Sequence, residues 1–367
     1  MLWFLLSLTT QPGWTEDTIT LQTLEEAALV IQENWVGETS EEELYRAALK
    51  GMLDHLDAQQ GHPGNALTQQ GDPLPQTGWR EGIGFEYLAL PGHGMLVTQV
   101  FSNSPADKAG LLAGETVTAM GTWSLAGRSR GEIHTIVQTQ NTPGTVLEIT
   151  SPEGDRRRVK VQRGAFQVAP VRSLPTTRAP SIRIHHFSSG SSQSLRAAIP
   201  ESHACLVLDV RDNPGGAIDE TVMSASLFLP KGAVVGRLRQ RDQEESSLTT
   251  TTAPVHHGPL AVLVNGGTAQ MAEVFTAALR GHERAIIVGV PTAGVGGITS
   301  QHEVSPSAQM HLIDTTLHSP RGAAWIGEGL TPDVVVAGSK TVMVSAHTAP
   351  PDLQYEAAIR MLDCDDK

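Results

Sequence analysis

The chain has 367 residues, enough for two or three domains. Hydrophobic residues make up 40% and charged residues 18%, a balance ordinary for a soluble globular protein. A net charge of -13 argues against nucleic acid or an anionic membrane surface as the main partner.

The N-terminus, "MLWFLLSLTTQPGW", carries an apolar run of about seven residues, too short to span a bilayer. Residues 1–15 are expected to be a clipped signal segment, although no basic residue precedes the run and no A-x-A site follows. Residues 16–75 read as a helical region. "LEEAALVIQENW" has apolar residues at helical spacing, and "SEEELYRAALKGMLDHL" opens with a capping-box pattern from Ser40 to Glu43. The Gly-, Pro- and Gln-rich stretch after it, "DAQQGHPGNALTQQGDPLPQTG", reads as a linker. Over 76–166, short strands such as "MLVTQVF" and "VLEITS" alternate with turns, and one helix fits "RGEIHTIVQTQ". Over 167–340, continuous apolar strands alternate with amphipathic helices: "ACLVLDV", "IDETVMSASLFL", "LAVLVN", "AEVFTAALRGH", "AIIVGV". That pattern predicts an α/β unit around a buried, largely parallel sheet, with ligand sites at the carboxyl ends of its strands. Residues 341–367 are expected to form a C-terminal helix and a solvated acidic tail.

Of the two cysteines, Cys205 lies in an apolar run and reads as a small core residue, and Cys364 lies in the tail. No disulfide framework is expected. The fourteen histidines include two adjacent pairs but no HExxH or Cys/His ligand spacing, so neither a metal nor a cofactor is predicted.

Three glycine-marked stretches carry the functional signal. "EGIGFEY" contains a Gly-x-Gly-aromatic loop, Gly82, Ile83, Gly84 and Phe85, whose backbone N–H groups suit a carboxylate. A strand after such a loop can pair with an extended peptide. "LVLDVRDNPGG" ends in Gly215 and Gly216, which with the N–H of Met271 form an oxyanion-hole-like set. "VLVNGGTAQMAEVFTAALRG" runs from strand through a turn into a helix, the place where many hydrolases mount a nucleophile. The turn offers Thr268, Gln270 and Met271, with no serine or cysteine.

The first of these stretches, with "SPADKAGLLAGETVTAMG" after it, resembles a PDZ domain, with Glu115 in a position usually held by Asp. Combined with "LVLDVRDNPGG", "RAIIVGVPTAGVGG", "LHSPRGAAWIGEGLTPDVVV" and "LYRAALKGMLDHLD", the chain resembles the carboxyl-terminal processing (tail-specific) proteases, S41-type serine peptidases, from about Leu24 to Val336. The resemblance implies a mixed-sheet peptidase core with an inserted PDZ domain, recognition of protein C-termini, and a bacterial envelope or periplasmic location. It also implies a Ser–Lys catalytic pair, and there the chain departs. Aligned through Gly267, Ala269 and Glu273, Gln270 stands at the nucleophile, Val295 at the general-base lysine and Thr299 at the orienting glutamine. No lysine occurs between Lys231 and Lys340, so a small slip in alignment cannot restore the base. Such a mechanism needs a desolvated amine to take the hydroxyl proton. The expectation is therefore a catalytically degenerate scaffold that binds C-termini. The alternatives are a peptidase rebuilt around Thr268, His185 or His186, and a structural subunit that pairs with an active paralogue or with itself.

Overall fold

The computed structural model describes residues 20–60, 66–69, 78–90, 93–139, 144–176, 178–201, 205–305, 308–337 and 352–363. The signal-like segment 1–15 and the end of the tail, 364–367, lie outside them. Among the described residues no helix is long and apolar enough to cross a membrane.

Short polar side chains set where the first two helices begin. Thr20 accepts the N–H of Thr23 at the start of α1 (Leu21–Asn34). Ser40 Oγ accepts the Glu43 N–H at 3.2 Å, and the Glu43 carboxylate accepts the Ser40 N–H at 2.8 Å, at the start of α2 (Glu41–Gln60). This is the reciprocal cap the sequence predicts. The stretch expected to be a linker departs from that reading. Ala66–Gln69 forms β1, antiparallel to residues 308–311 far along the chain. A pairing across that distance leaves no local signal, because its partner supplies the ladder.

The next segment contains β2 (Trp79–Gly82), β3 (Phe85–Leu90), β4 (Gly94–Val100), α3 (Pro105–Lys108), β5 (Thr116–Met120), β6 (Trp123–Ser124), α4 (Arg130–Thr139), β7 (Thr145–Thr150), β8 (Arg156–Val161) and β9 (Gly164–Gln167). The sheet runs β3–β4–β5–β7–β8, with β6 on β5 and a separate β2–β9 pair. Along β7, Thr145, Leu147 and Ile149 are buried while Val146 faces out, the period-two signature of a half-buried strand. Met95, Val97, Val117, Ile133 and Leu147 form its core. Glu115 is buried and held by Arg157 at 2.8 Å.

The remaining strands form two sheets. The first runs β10 (Val171–Leu174), β11 (Ser181–Ile184), β12 (Leu206–Asp209), β15 (Leu260–Val264), β16 (Ile286–Gly289) and β19 (Val334–Val335), all parallel except β10. Its β12 and β15 strands are buried on both faces, which explains their unbroken apolar sequence. Leu206, Leu208 and Val262 face the core shared with α5 (Ser191–Ala198), α6 (Ile218–Ser226) and α7 (Met271–Gly281), whereas Val207 and Ala261 face α8 (Leu353–Leu362). The second sheet, β13 (Val234–Gln240), β14 (Ser246–Thr249), β17 (Gly297–Ser305) and the long β18 (Ala308–His318) with β1, is antiparallel. The sequence reading missed it, since its polar alternating strands carry little apolar signal. α7 lies between α6, β13 and β16, and its residues Met271–Leu279 are all buried.

One expectation is overturned here. Cys205, just before β12, is half-buried and disulfide-bonded; the chain has one other cysteine, Cys364. A single cysteine within an apolar run gives no spacing motif, so its cross-link has no sequence signature.

Candidate active-site turn

Two glycine turns follow the carboxyl ends of adjacent parallel strands, β12 and β15, and the structure clamps them together. Asn265 Oδ1 accepts the N–H of Asp212 and of Gly267, each at 2.9 Å, and Asn265 Nδ2 donates to Asp212 Oδ1 at 2.9 Å. The Ala269 N–H donates to the Asn213 carbonyl at 2.9 Å. Asn213 Nδ2 donates to the Ile184 carbonyl at 2.9 Å, which ties the pair of turns to the end of β11. The space is closed to anything larger: a β-carbon on Gly267 would lie 2.7 Å from Asp212 Oδ1, and one on Gly216 2.1 Å from the Phe187 carbonyl.

Gln270 sits at the tip, at φ 48° and ψ -117°, as the N-cap of α7. Positive φ in a bulky non-glycine residue is strained, by roughly 1–3 kcal/mol, and strand–turn–helix nucleophile elbows share such strain. Glu273 holds the shape. One carboxylate oxygen accepts the Gln270 N–H at 3.0 Å, and the other accepts Thr292 Oγ1 at 2.5 Å and the Gly294 N–H at 2.8 Å. Burial pushes the Glu273 pKa up, and the donors from Thr292, Gly294 and Gln270 counter it. The Trp325 indole N–H also acts on this carboxylate, although it makes no hydrogen bond of good geometry among the described residues. Thr292 Oγ1 in turn accepts the Leu330 N–H at 2.7 Å. The Ala293 N–H donates to the Thr268 carbonyl at 2.9 Å, so the loop that carries Val295 is fastened to the elbow at two points.

Within this frame the sequence-predicted residues fall as follows. Gln270 and Val295 are half-buried, on the elbow and on the loop fastened to it. Thr299 is on β17, opposite Ile313. The Met271 N–H opens α7, and neither it nor the Gly216 N–H has a partner among the described residues. A β-carbon on Gly215 would lie 2.8 Å from the Met271 nitrogen, so these groups converge at the helix N-terminus. The Gly215 N–H itself is taken by Asn213 Oδ1 at 2.8 Å. Of the three predicted donors, Gly216 and Met271 remain available; the asparagine one residue before the Pro-Gly-Gly run claims the third.

The geometry disfavours the rebuilt-site readings. Thr268 is fully buried, its hydroxyl donating to the Val210 carbonyl at 2.8 Å and accepting the Asn265 N–H at 3.1 Å. Its hydroxyl proton is committed to a carbonyl, and the oxygen is closed off from solvent. His186 is buried and bonded through Nε2 to the Val168 carbonyl at 2.9 Å. His185 is buried edge-on to Phe101, with Nδ1 3.8 Å from Glu86. Burial, then the Arg183 and Arg80 charges, hold its pKa down to about 3. Both histidines seat the β3-containing segment on the core, alongside Arg183, which reaches Asp209, Asp212 and Glu86. Asp209 is wholly buried; burial would raise its pKa, but Arg211 and Arg183 hold it at about 2.

In the Gly82–Phe85 loop, the Ile83 carbonyl accepts the Ala106 N–H, and the Gly84 carbonyl accepts the Phe101 N–H and Ser104 Oγ. Gly84 has φ 92°, and a β-carbon there would lie 2.2 Å from Ser104 Cβ. The carbonyls of Ile83 and Gly84 are therefore both taken by bonds within the chain. Arg163, missed by the sequence reading, stands beside this loop: its Nη2 lies 3.9 Å from a β-carbon built on Gly82, and its Nη1 donates to the Val137 carbonyl on α4. Among the described residues no group of His, Cys, Asp or Glu could hold a metal ion.

Comparison with known proteins places the core. The model of peptidase family S41 matches residues 179–336. A protein of Staphylococcus haemolyticus named "Probable CtpA-like serine protease" is 29% identical over 281 residues, covering 75% of this chain and 56% of that protein. One of Staphylococcus epidermidis with the same name is 26% identical over 332 residues, covering 89% of this chain and 67% of that protein. The chain thus spans between about half and two thirds of the length of these curated relatives. Among solved structures, the "Photosystem II D1 C-terminal processing protease" superposes with a TM-score of 0.53 at 22% identity, over 94% of this chain and 91% of that one. The "Putative S41 protease" of Bacteroides fragilis gives 0.59 at 16% identity, over 96% of this chain and all of that one. At these identities the two structures establish a shared fold.

Proposed function

We propose that this chain, whose core belongs to peptidase family S41, is a peptide-binding scaffold of that family that does not cut. The observation that carries the reading is Gln270. It occupies the strained tip of an intact nucleophile elbow, held by Glu273 at the start of α7, yet an amide cannot be activated as a nucleophile. Val295, on the adjoining loop, offers no proton acceptor. Loss of such groups removes many powers of ten in rate. The retained clamps around the elbow favour a preserved binding shape.

The ligand we propose is a protein C-terminus, received by the PDZ-like segment at Gly82–Phe85. Its free carboxylate would meet the loop amides and the Arg163 guanidinium, and its backbone would lie along β3. A solved structure of the same fold is named a C-terminal processing protease, which supports this substrate class. The disulfide at Cys205 supports an oxidising location outside the cytoplasm.

The test uses an unstructured protein with an apolar C-terminus. The purified natural chain should bind its C-terminal peptide, bind the amidated peptide less well, and leave the protein intact. The Gln270→Ser/Val295→Lys variant should restore measurable cleavage. Turnover by the natural chain at a rate that survives Thr268→Ala and His185→Ala would overturn the reading.

A further inference from the structure

A cavity of about 760 Å³ opens at the far edge of the parallel sheet, away from the elbow. It lies where β15 and β16 begin and α7 ends, and it is walled by Leu260, Ala277, Ile286, Trp325, Leu330 and Met361. Its volume falls in the range of small-molecule sites, and its lining is mostly apolar with a few charges.

Those charges do not balance. Arg280 pairs with Asp333 at 2.9 Å and Arg321 with Glu283 at 3.2 Å. The third guanidinium on the wall, Arg284, has no carboxylate within ion-pair distance among the described residues. Its Nε donates to the Phe228 carbonyl at 3.2 Å, and its Nη2 donates to the His256 carbonyl at 2.9 Å and to His256 Nδ1 at 3.0 Å. Those bonds fix the head in place, and Nη1 has no partner among the described residues. Burial alone pushes the Arg284 pKa down, with no anion to hold it up. A half-buried cation without a counter-charge is costly, and an apolar chamber beside it offers a ligand both a charge and a dry surface.

We infer that this cavity binds a small apolar carboxylate, its anionic head on Arg284 and its hydrocarbon body against Trp325, Ala277 and Leu330. The site is independent of the peptide groove, and it has a route to the elbow. Trp325 stands beside Gly296, with its indole nitrogen 3.4 Å from a β-carbon built there, and Leu330 donates to Thr292. A ligand against this wall therefore presses on the segment that fastens the loop 292–296.

The probe is decanoate, titrated calorimetrically into the full chain below its micellar range, with decanamide as the uncharged counterpart. One saturable site is expected, with decanamide weaker by about tenfold or more, the worth of a charge-assisted hydrogen bond. Arg284→Met should weaken decanoate by a similar factor. Ala324→Trp, at an exposed position on the rim, should block entry without touching the core, and it keeps the test decisive if the arginine variant fails to fold. Absence of a saturable site in the natural chain, equal binding of decanamide, or unchanged binding in Ala324→Trp would overturn the inference.

Discussion

The Glu273 carboxylate accepts the backbone N–H of Gln270 at 3.0 Å while its other oxygen holds Thr292 and Gly294. The shape of the elbow is therefore set one helical turn away from its tip, by a group that does not depend on which side chain stands at 270. Replacing Gln270 leaves these bonds in place, whereas replacing Glu273 strands three donors in a buried setting. Glu273→Ala should lose roughly 3 kcal/mol or more of unfolding free energy, and Gln270→Ser should change it by less than about 1 kcal/mol. Chemical denaturation of the two variants beside the natural chain measures both, and equal losses would refute the division of labour.

Arg163 separates two roles of the Gly82–Phe85 loop. Arg163→Ala should leave the thermal midpoint nearly unchanged yet weaken a C-terminal peptide by about tenfold, and the salt dependence of binding should shrink with it. Gly84→Ala should instead destabilise the segment outright, because its β-carbon would lie 2.2 Å from that of Ser104 at a φ of 92°. Fluorescence anisotropy with a labelled peptide, run with free and amidated termini, tells the two variants apart.

His185 makes stability depend on pH. Its folded pKa is held at about 3, below the usual histidine value of 6.5. Between those values the unfolded chain binds the extra proton and the folded chain does not, so stability is full above the unfolded pKa and falls as pH drops through the window. His185→Phe retains a ring against Phe101 and removes the titration. The variant should gain in thermal midpoint relative to the natural chain on going from pH 8 to pH 5, and a constant difference across that range would count against the assignment.

Reduction of the Cys205 disulfide should lower the unfolding free energy by about 2–4 kcal/mol, the usual range for a cross-link. Dithiothreitol should shift the melting curve of the natural chain and leave that of Cys205→Ser unmoved. If both respond equally, the cross-link contributes nothing.

What the sequence made legible follows from how local each signal is. The Ser40–Glu43 cap, the apolar β12 and β15, and the glycine turns after them are each written within a few consecutive residues, and chain order alone gave the parallel sheet. The β1–β18 pairing depends on register between segments about 240 residues apart, and β13, β17 and β18 are polar enough to pass for loop. At the site, Gln270 and Val295 were readable, and the clamps that hold the turn were not. Glu273 did carry a signal: a carboxylate inside "MAEVFTAAL", a stretch otherwise apolar but for Thr276, must find several donors. Asn213 and Asn265 carried none, since asparagine in a turn ordinarily bonds its own backbone.

The short strand β1 has a practical consequence. It occupies one edge of β18 over residues 308–311, and β13 takes up that edge only from residue 315 onward. A fragment trimmed to begin after β1, a natural choice for producing the core alone, would leave those rungs open. An unpaired edge recruits strands from other molecules. Such a fragment should aggregate or exchange strands on concentration, and adding back a peptide spanning residues 66–69 in trans should suppress it.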